Sequence, residues 1–183
     1  GSVDLAFIES AVEMIADALP PGAVVATKST VPVGSTRVVE QTLGRHDVAV
    51  VSNPEFLREG TAVRDFLAPD RVVIGSDDPE ASVRVAALYE PLEAPVVITD
   101  PATAETVKYV ANAFLATKLS FVNAIAAVCE AVGADVDDVM ASLGHDRRIG
   151  PEYLQPGPGW GGSCFPKDTR ALLQISEEAG YPF

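Results

Sequence analysis

The chain has 183 residues, of which 48% are hydrophobic and 21% are charged, so it can bury a sizeable core and does not have the composition of a disordered protein. Its formal net charge of −13 repels phosphate backbones and argues against a nucleic-acid partner. The two cysteines, Cys129 and Cys164, form no CxxC motif or cysteine–histidine cluster, so neither a disulfide framework nor any metal site is predicted.

The first hundred residues alternate predicted helices with short apolar strands. Apolar residues at helical spacing predict a first helix, which two prolines end. Short β-branched runs predict strands, and the dipeptide Asp78-Pro79 is a helix-capping signal. Strands interleaved with helices indicate an α/β fold with a parallel sheet. The predicted helices are 4–19, 34–43 and 79–90, and the predicted strands are 23–27, 47–51, 71–75 and 95–99.

The rest of the chain is predicted to be helical. A long helix over 101–132 carries so little charge that we expect it to be covered on most sides, in part by a partner subunit. Polar residues such as Asn112 and Lys118 argue against a membrane span. A helix over 135–143, a glycine- and proline-rich loop over 150–165 and a helix that begins at Pro166 follow.

Cys164 lies in the segment GGSCFPKD, just before the predicted start of the last helix. The glycines before it, Gly161 and Gly162, allow the backbone to approach a ligand closely. The positive end of the helix and the charge of Lys167 favour a thiolate, which is a competent nucleophile. On these residues alone, an inert loop cysteine is an equally good interpretation. Cys129, in an apolar run, fits a buried structural cysteine.

Polar side chains follow two of the predicted strands. Glu55 and Glu59 come after the second strand, and Lys28, Ser29 and Thr30 come after the first. The carboxyl ends of parallel strands are where ligands bind, and a carboxylate there is a candidate base for activating water. A solvated acidic loop is the simpler interpretation of the two glutamates.

Further candidates lie on or near the predicted helices. Lys108 and Asn112 are four residues apart on the long helix, hence on one face, and could together hold an oxyanion or a hydroxyl. Arg147 and Arg148 form the densest positive charge of the chain and could meet a phosphate. Asp168 opens the last helix. An exposed lysine and a capping or core asparagine are the simpler interpretation of Lys108 and Asn112, and a solvated pair fits the two arginines equally well.

Four segments in register resemble the UDP-glucose/GDP-mannose dehydrogenase family: KSTVPVG, NPEFLREGTAVRDF, AETVKYVANAFLATKLSFVNAIAAVCEAVGADVDDV and GPGWGGSCFPKD. Together they cover most of residues 23–173. The resemblance implies an internal piece of such an enzyme. Residues 1–100 would be the second part of a Rossmann-like parallel-sheet domain, and residues 101–183 would be a helical central domain that carries the catalytic loop and underlies a homodimer through helix 101–132.

The resemblance also implies an activity, in which the C6 alcohol of a nucleotide sugar is oxidised to a carboxylate with two molecules of NAD. Cys164 would be the nucleophile that forms a thiohemiacetal and then a thioester. Glu55 would be the acid/base residue for thioester hydrolysis, with Thr30 beside the water. Lys108 would steady the oxyanion, with Asp168 close to it.

Binding roles follow from the same resemblance. The implied substrate contacts are Phe56, Leu57, Glu59, Asn112, Arg148, Tyr153, Leu154, Gly157 and Gly161. The implied cofactor contacts are Ser29, Thr30, Glu59 and Lys167. The stretch RIGPEYLQPGPGW is more similar to the UDP-glucose branch than to the GDP-mannose branch, which is the alternative. An N-acetyl sugar substrate fits less well, because a histidine would be expected in place of Ser163.

Two other classes of function stay open from the sequence. A non-catalytic dimerisation module is compatible with the long apolar helix, whereas a cysteine hydrolase lacks a histidine partner near any motif. The sequence contains no strand–GxGxxG–helix unit, so we expect no turnover from these 183 residues alone. The absence of a signal-peptide pattern leads us to expect a cytoplasmic protein.

Overall fold

The computed structural model describes residues 5–182, so residues 1–4 and 183 of the predicted domains, and the first residue of the predicted helix 4–19, lie outside it. The chain divides into two compact units, the first ending at Lys108 and the second beginning at Tyr109. The elements are α1 Ala6–Ala16, β1 Val24–Thr27, α2 Ser35–Leu43, β2 Ala49–Ser52, α3 Ala62–Leu67, β3 Val72–Gly75, α4 Pro79–Tyr89, β4 Val96–Thr99, α5 Pro101–Val132, α6 Val136–Gly144 and α7 Cys164–Glu178, with a 3-10 turn at Glu90–Leu92.

The first unit is built on a four-stranded sheet in the order β1-β2-β3-β4. Strands β1 and β2 are parallel, and so are β3 and β4. The α/β fold class is confirmed, but the expectation of a sheet that is parallel throughout is wrong at its centre. There β2 and β3 are antiparallel and pair only at Ser52 and Gly75.

The connection between β2 and β3 explains the change of direction. A parallel neighbour needs a crossover whose helix packs on the sheet. The connection contains only α3, a six-residue helix with no buried residues, which the sequence analysis did not predict. The chain therefore returns from the end at which β2 stops. The edge where β1 and β2 end is also the edge where β3 begins, and we call it the β1/β2 edge.

Helices cover both faces of the sheet at β2, whereas β4 is largely exposed. On one face Val50 packs with Val12 of α1 and with Val39 and Leu43 of α2. The next residue of β2, Val51, points to the opposite face and packs in the cluster that includes residues of α4. The alternation along the strand follows from its two-residue period, and it places the core on both sides of β2.

The first turns of α5 are fixed to this unit at two places. Gly75 lets α5 approach β3, because a Cβ at this position would lie 2.5 Å from the Cβ of Ala104 and 2.7 Å from the carbonyl oxygen of Asp100. One turn later the buried carboxylate of Glu105 accepts hydrogen bonds from the backbone amides of Gly34, at 2.6 Å, and Thr36, at 2.8 Å. Glu105 thus caps the N-terminus of α2.

In the second unit, the glycine- and proline-rich loop packs on α5. The small core contains Val122 and Met140, together with Leu154 from the loop. The backbone amide of Gly157 donates to Oδ1 of Asn123 at 2.9 Å, and the indole of Trp160 donates to Oγ of Ser120 at 2.8 Å. Polar residues of α5 therefore hold the loop.

The C-terminal part of α5 exposes a row of apolar side chains. Within this chain little of the helix is covered, since 17% of an apolar 18-residue stretch of it is buried. The expected cover by a partner subunit stays a prediction. By length and composition alone α5 could cross a membrane, a test that core helices of soluble proteins also pass. The exposed positions are Val110, Phe114, Phe121, Val128 and Val132.

Candidate functional site

A hydrogen-bonded triangle joins the ends of β1 and β2. The ammonium of Lys28 donates to Oδ1 of Asn53 at 2.9 Å and to the hydroxyl of Tyr89 at 2.8 Å. The Tyr89 hydroxyl donates to the same Asn53 oxygen at 2.5 Å, and Nδ2 of Asn53 donates to the carbonyl of Val73 at 2.7 Å. Because Asn53 is buried, this network fixes the backbone that leads into Glu55.

Glu55 and Lys108 meet at the β1/β2 edge. Lys108 is only 4% exposed, and its ammonium donates to the backbone carbonyl of Glu55 at 2.6 Å. The carboxylate of Glu55 lies 3.4 Å from the same ammonium. Its other oxygen accepts from the amide of Leu57 at 2.6 Å. A buried cation and a half-buried carboxylate therefore share one site, a pairing that suits proton transfer and oxyanion stabilisation.

The ring of Phe56, next to Glu55, lies close to two cations. The guanidinium carbon of Arg71 is 3.9 Å from the ring centroid, and the ammonium of Lys108 is 5.3 Å from it. Both distances are within the range of a cation–π interaction. Phe56 and Arg71, together with Lys28 and Tyr89, line a small solvent-open pocket of about 70 Å³ in the first unit.

The remaining candidates of the first unit lie around these groups. Thr30 is half-buried, whereas Ser29, Leu57 and Glu59 are exposed. Ser29 and Thr30 directly follow β1 and Lys28, so they extend from the edge at which the triangle sits. The salt bridge between Arg58 and Asp65, at 2.6 Å, lines the same pocket and lowers the pKa of the Asp65 carboxyl.

In the second unit, Cys164 is the first residue of α7. The predicted start of this helix at Pro166 is two residues late, because proline is accepted in a first turn, where the N–H groups have no helical partner. Cys164 is exposed, and its sulfur lies 3.7 Å from the hydroxyl of Ser163. An exposed thiol at the positive end of a 15-residue helix is accessible to an electrophile.

One turn into α7, Asp168 is completely buried. Its carboxylate accepts from Nδ2 of Asn112 at 2.5 Å and pairs with the ammonium of Lys167. The structure thus brings together Asn112, Asp168 and Lys167. A buried carboxylate with these two partners orients the amide of Asn112, whose remaining polar groups are then available for a ligand.

The loop candidates differ in their surroundings. Leu154 is buried in the small core, and Tyr153 beside it has a positive φ of 62°. Gly157 is held by Asn123, as described above, and Gly161 is exposed. Arg148 is exposed and pairs with Asp146 at 2.6 Å, a contact that holds the pKa of the Asp146 carboxyl below its ordinary value. The Asp146 carboxylate therefore partly neutralises the charge of Arg148.

One predicted grouping is observed within the first unit, where Lys108 meets Glu55. In the second unit Asp168 meets Asn112, a contact that was not predicted, and the proximity of Asp168 to Lys108 stays a prediction. The expectation that Cys164 shares a cleft with Glu55 and Lys108 stays a prediction. Between residues 5 and 182, no group of three or more histidine, cysteine, aspartate or glutamate side chains is arranged to hold a metal ion.

Four residues of the first unit that organise this site were not predicted from the sequence. Asn53 could have been noticed in the SNP turn that directly follows β2, where its amide can bond to the neighbouring strands. Tyr89, Arg71 and Glu105 carry no comparable local signal, because each acts on a residue distant in sequence.

Comparison with known proteins gives consistent results along the chain. The NAD binding domain of the UDP-glucose/GDP-mannose dehydrogenase family matches residues 1–93, and the central domain of that family matches residues 102–183. UDP-glucose 6-dehydrogenase TuaD of Bacillus subtilis (strain 168) is 50% identical, in an alignment that covers 100% of the chain and 41% of that protein.

Solved structures agree with the sequence matches. A UDP-glucose dehydrogenase from the archaeon Pyrobaculum islandicum is 42% identical with a TM-score of 0.89, covering 98% of this chain and 44% of that one. A GDP-mannose dehydrogenase from Pseudomonas aeruginosa is 34% identical with a TM-score of 0.73, covering 98% and 44%. The chain thus spans less than half the length of these relatives. Because two consecutive domains of one family match it in order, the chain belongs to the UDP-glucose/GDP-mannose dehydrogenase family.

Proposed function

We propose that the protein containing this chain is an NAD-dependent UDP-glucose 6-dehydrogenase, which oxidises the C6 alcohol of UDP-glucose to the carboxylate of UDP-glucuronate. The observation that carries the proposal is the contact of the buried Lys108 ammonium with Glu55, at the edge where two parallel strands end. Ligands of α/β proteins bind at such edges. The relatives named above support UDP-glucose as the substrate, and NAD is supported by the matching domain.

The residues of this chain fit one part of an NAD site. The exposed Ser29 and half-buried Thr30 follow β1 at the β1/β2 edge, within reach of a ligand at the strand ends. Glu59 and Lys167 are the other residues we propose near the cofactor. Bound NAD would supply the acceptor for the electron pair that leaves C6. The sequence has no strand–GxGxxG–helix unit, so we assign none of its residues to the pyrophosphate.

Cys164 would hold the sugar between its two oxidations. The first oxidation converts the alcohol into an aldehyde. Attack of the Cys164 thiolate on that carbonyl forms a carbon–sulfur bond and a tetrahedral oxyanion, and loss of the second electron pair leaves a thioester. Water then adds to the thioester, and the thiolate leaves as the carboxylate forms. The exposed position of Cys164 in the first turn of α7 suits this role.

Lys108 and Glu55 would serve the steps at which charge develops. An ammonium stabilises an oxyanion more when it does not have to reorganise, and Lys108 is held by the Glu55 carbonyl at 2.6 Å. Glu55 would take the proton of the attacking water, with Thr30 orienting that water. Asp168 would act through Asn112, which it holds at 2.5 Å, so that the amide contacts the sugar.

Other parts of the chain would contact the nucleotide sugar. We propose that Phe56, Leu57 and Glu59 line one side of the substrate and that the loop residues Tyr153, Leu154, Gly157 and Gly161 line another. Arg148 would reach a phosphate after releasing Asp146. Each assignment rests on the family resemblance and on the placement of these residues in strand-end or loop segments.

We further propose that the protein is a cytoplasmic homodimer that forms through α5. Side chains such as Phe114, 65% exposed, and Val132, 71% exposed, form an apolar row on α5. Exposure of such a row to water is unfavourable, and a second subunit would bury it. Two free cysteines agree with a reducing compartment. Light scattering of the full-length protein, compared with a Phe114→Glu variant, tests the dimer: the wild type should have twice the monomer mass, and the variant should lose it.

The activity is tested with the full-length protein, UDP-glucose and NAD. Two NADH should form for each UDP-glucuronate, and Cys164→Ala should abolish product formation, whereas Cys129→Ala should retain it. Glu55→Gln should slow hydrolysis and leave a sugar acyl group on Cys164 that intact-mass spectrometry detects. Normal turnover by Cys164→Ala would contradict the proposal. Faster turnover of GDP-mannose than of UDP-glucose would favour the alternative substrate.

A further inference from the structure

Arg71 is a residue of the candidate site that has no role in the chemistry proposed above. It directly precedes β3 and is half-buried at the β1/β2 edge. Among the carboxylates that line the pocket, Asp65 is already paired with Arg58 at 2.6 Å. Throughout residues 5–182, the one contact found for the Arg71 guanidinium is the face of Phe56, at 3.9 Å from the ring centroid.

The contact between Arg71 and Phe56 lies next to the peptide group that joins Phe56 to Glu55, one of the proposed catalytic residues. The carbonyl of Glu55 and the nitrogen of Phe56 belong to one planar peptide group, so a rotation of the Phe56 backbone moves the Glu55 oxygen. That oxygen is the 2.6 Å acceptor of the Lys108 ammonium. The same ammonium also lies 5.3 Å from the Phe56 ring. Phe56 is therefore the common neighbour of Arg71 and Lys108.

We infer that Arg71 is a positioning residue, which stacks on Phe56 and thereby fixes the Glu55 carbonyl, the Glu55 carboxylate and the Lys108 ammonium in one arrangement. The inference rests on the proposed function, because it assigns to Arg71 an effect on the hydrolysis step that Glu55 would assist. A guanidinium suits the task, since its plane stacks on an aromatic face while its charge needs no carboxylate.

The test compares variants of the full-length protein with UDP-glucose and NAD. Arg71→Met keeps an unbranched apolar stem and removes the plane and the charge of the guanidinium, whereas Arg71→Lys keeps the charge. Arg64→Met on α3 is the matched control, because Arg64 is exposed and belongs to the same unit. Thermal denaturation reports the folded fraction, steady-state kinetics give kcat and KM, and intact-mass spectrometry measures the acyl group on Cys164.

For Arg71→Met we expect kcat to fall roughly tenfold, less than the ~10²–10⁴ that a general acid–base group contributes. KM should fall together with kcat, because slower hydrolysis lets the covalent intermediate accumulate at lower substrate concentrations. The acyl group should accumulate on Cys164 during turnover. Arg71→Lys should regain part of the rate, and Arg64→Met should match the wild type.

Two outcomes would overturn the inference. A raised KM with unchanged kcat would make Arg71 a substrate-binding residue, and a lower rate without the acyl group would make its role purely structural. If Arg71→Met does not fold, Phe56→Leu removes the same stacking and should give the same accumulation. Glu55→Gln separates the two proposals: if it does not accumulate the acyl group, the proposed role of Glu55 fails whatever Arg71 does.

Discussion

Replacing Glu105 should loosen the start of α2. Its carboxylate, 2% exposed, accepts the amides of Gly34 and Thr36 and the Thr36 hydroxyl at 2.6, 2.8 and 2.7 Å. A hydrogen bond to a charged group contributes about 1.5–3 kcal/mol. The three bonds share one acceptor group and water can replace part of them, so we expect Glu105→Ala to cost about 3 kcal/mol locally.

Hydrogen exchange followed by mass spectrometry measures this cost in the full-length protein. Since 1.4 kcal/mol corresponds to a factor of ten, the amides of the segment 34–38 should exchange roughly a hundredfold faster in Glu105→Ala. Glu105→Gln should have a smaller effect, because one oxygen still accepts while its amide group opposes an N–H donor. Glu40→Ala, an exposed position on the same helix, is the control. Unchanged exchange of 34–38 in Glu105→Ala would refute the reasoning.

Three further predictions follow from contacts in the two units. Gly75→Ala should lower the melting temperature and cost about 1–3 kcal/mol or more, because the new Cβ overlaps the first turn of α5; an unchanged melting temperature would contradict this. The exposed Cys164 should be alkylated faster than the buried Cys129 at neutral pH, and equal slow labelling would favour a scaffold role. Because the Arg58 guanidinium lowers the pKa of Asp65, their pairing should stabilise α3 above pH ~4 and weaken as the pH falls further. In Arg58→Met, the pKa of the Asp65 carboxyl, measured by NMR titration, should return to about 3.9.

Local signals in the sequence were sufficient to predict most elements of the fold. Asp78 caps α4 by accepting the amides of Glu80 and Ala81, and Asp135 caps α6 in the same way, so these helices begin where short-range hydrogen bonding dictates. The strands were found because continuous β-branched runs favour the extended conformation, although β4 is exposed in this structure. α5 was predicted over 101–132, and it has those bounds in the structure.

The antiparallel step between β2 and β3 could not be predicted in the same way. The direction of a strand depends on where its connection crosses the sheet, and the connection through α3 buries no residue that would mark it as a crossover. Phe66 and Leu67 within it are apolar but exposed, so their pattern carries no information about the sheet. Strand direction here is a long-range property, which β-branched runs do not encode.

The candidate site shows a similar division. Glu55 and Lys108 were singled out from their motifs, and the structure shows them in contact. The groups that hold them, Asn53 and Arg71, were not predicted. An asparagine or an arginine has no distinctive local pattern in the sequence, and its role depends on the residues that it contacts in the fold. Sequence motifs thus indicated the residues proposed for chemistry, whereas their support depends on contacts between distant segments.

The basic residues at the β1/β2 edge contact mainly neutral groups although the chain is acidic, and this bears on the proposed function. With 26 acidic and 13 basic residues, most cations could be neutralised by carboxylates of the same chain. At the β1/β2 edge this is largely avoided: Lys28 bonds to an amide and a phenol, Arg71 stacks on a ring, and Lys108 makes its short bond to a backbone carbonyl. Neutral partners fix Lys28 and Arg71 without cancelling their charges, whereas Lys108 also lies 3.4 Å from the Glu55 carboxylate. Lys28 and Arg71 are therefore the cations of this edge whose charge is best placed to act on the phosphates and oxyanions of the proposed reaction.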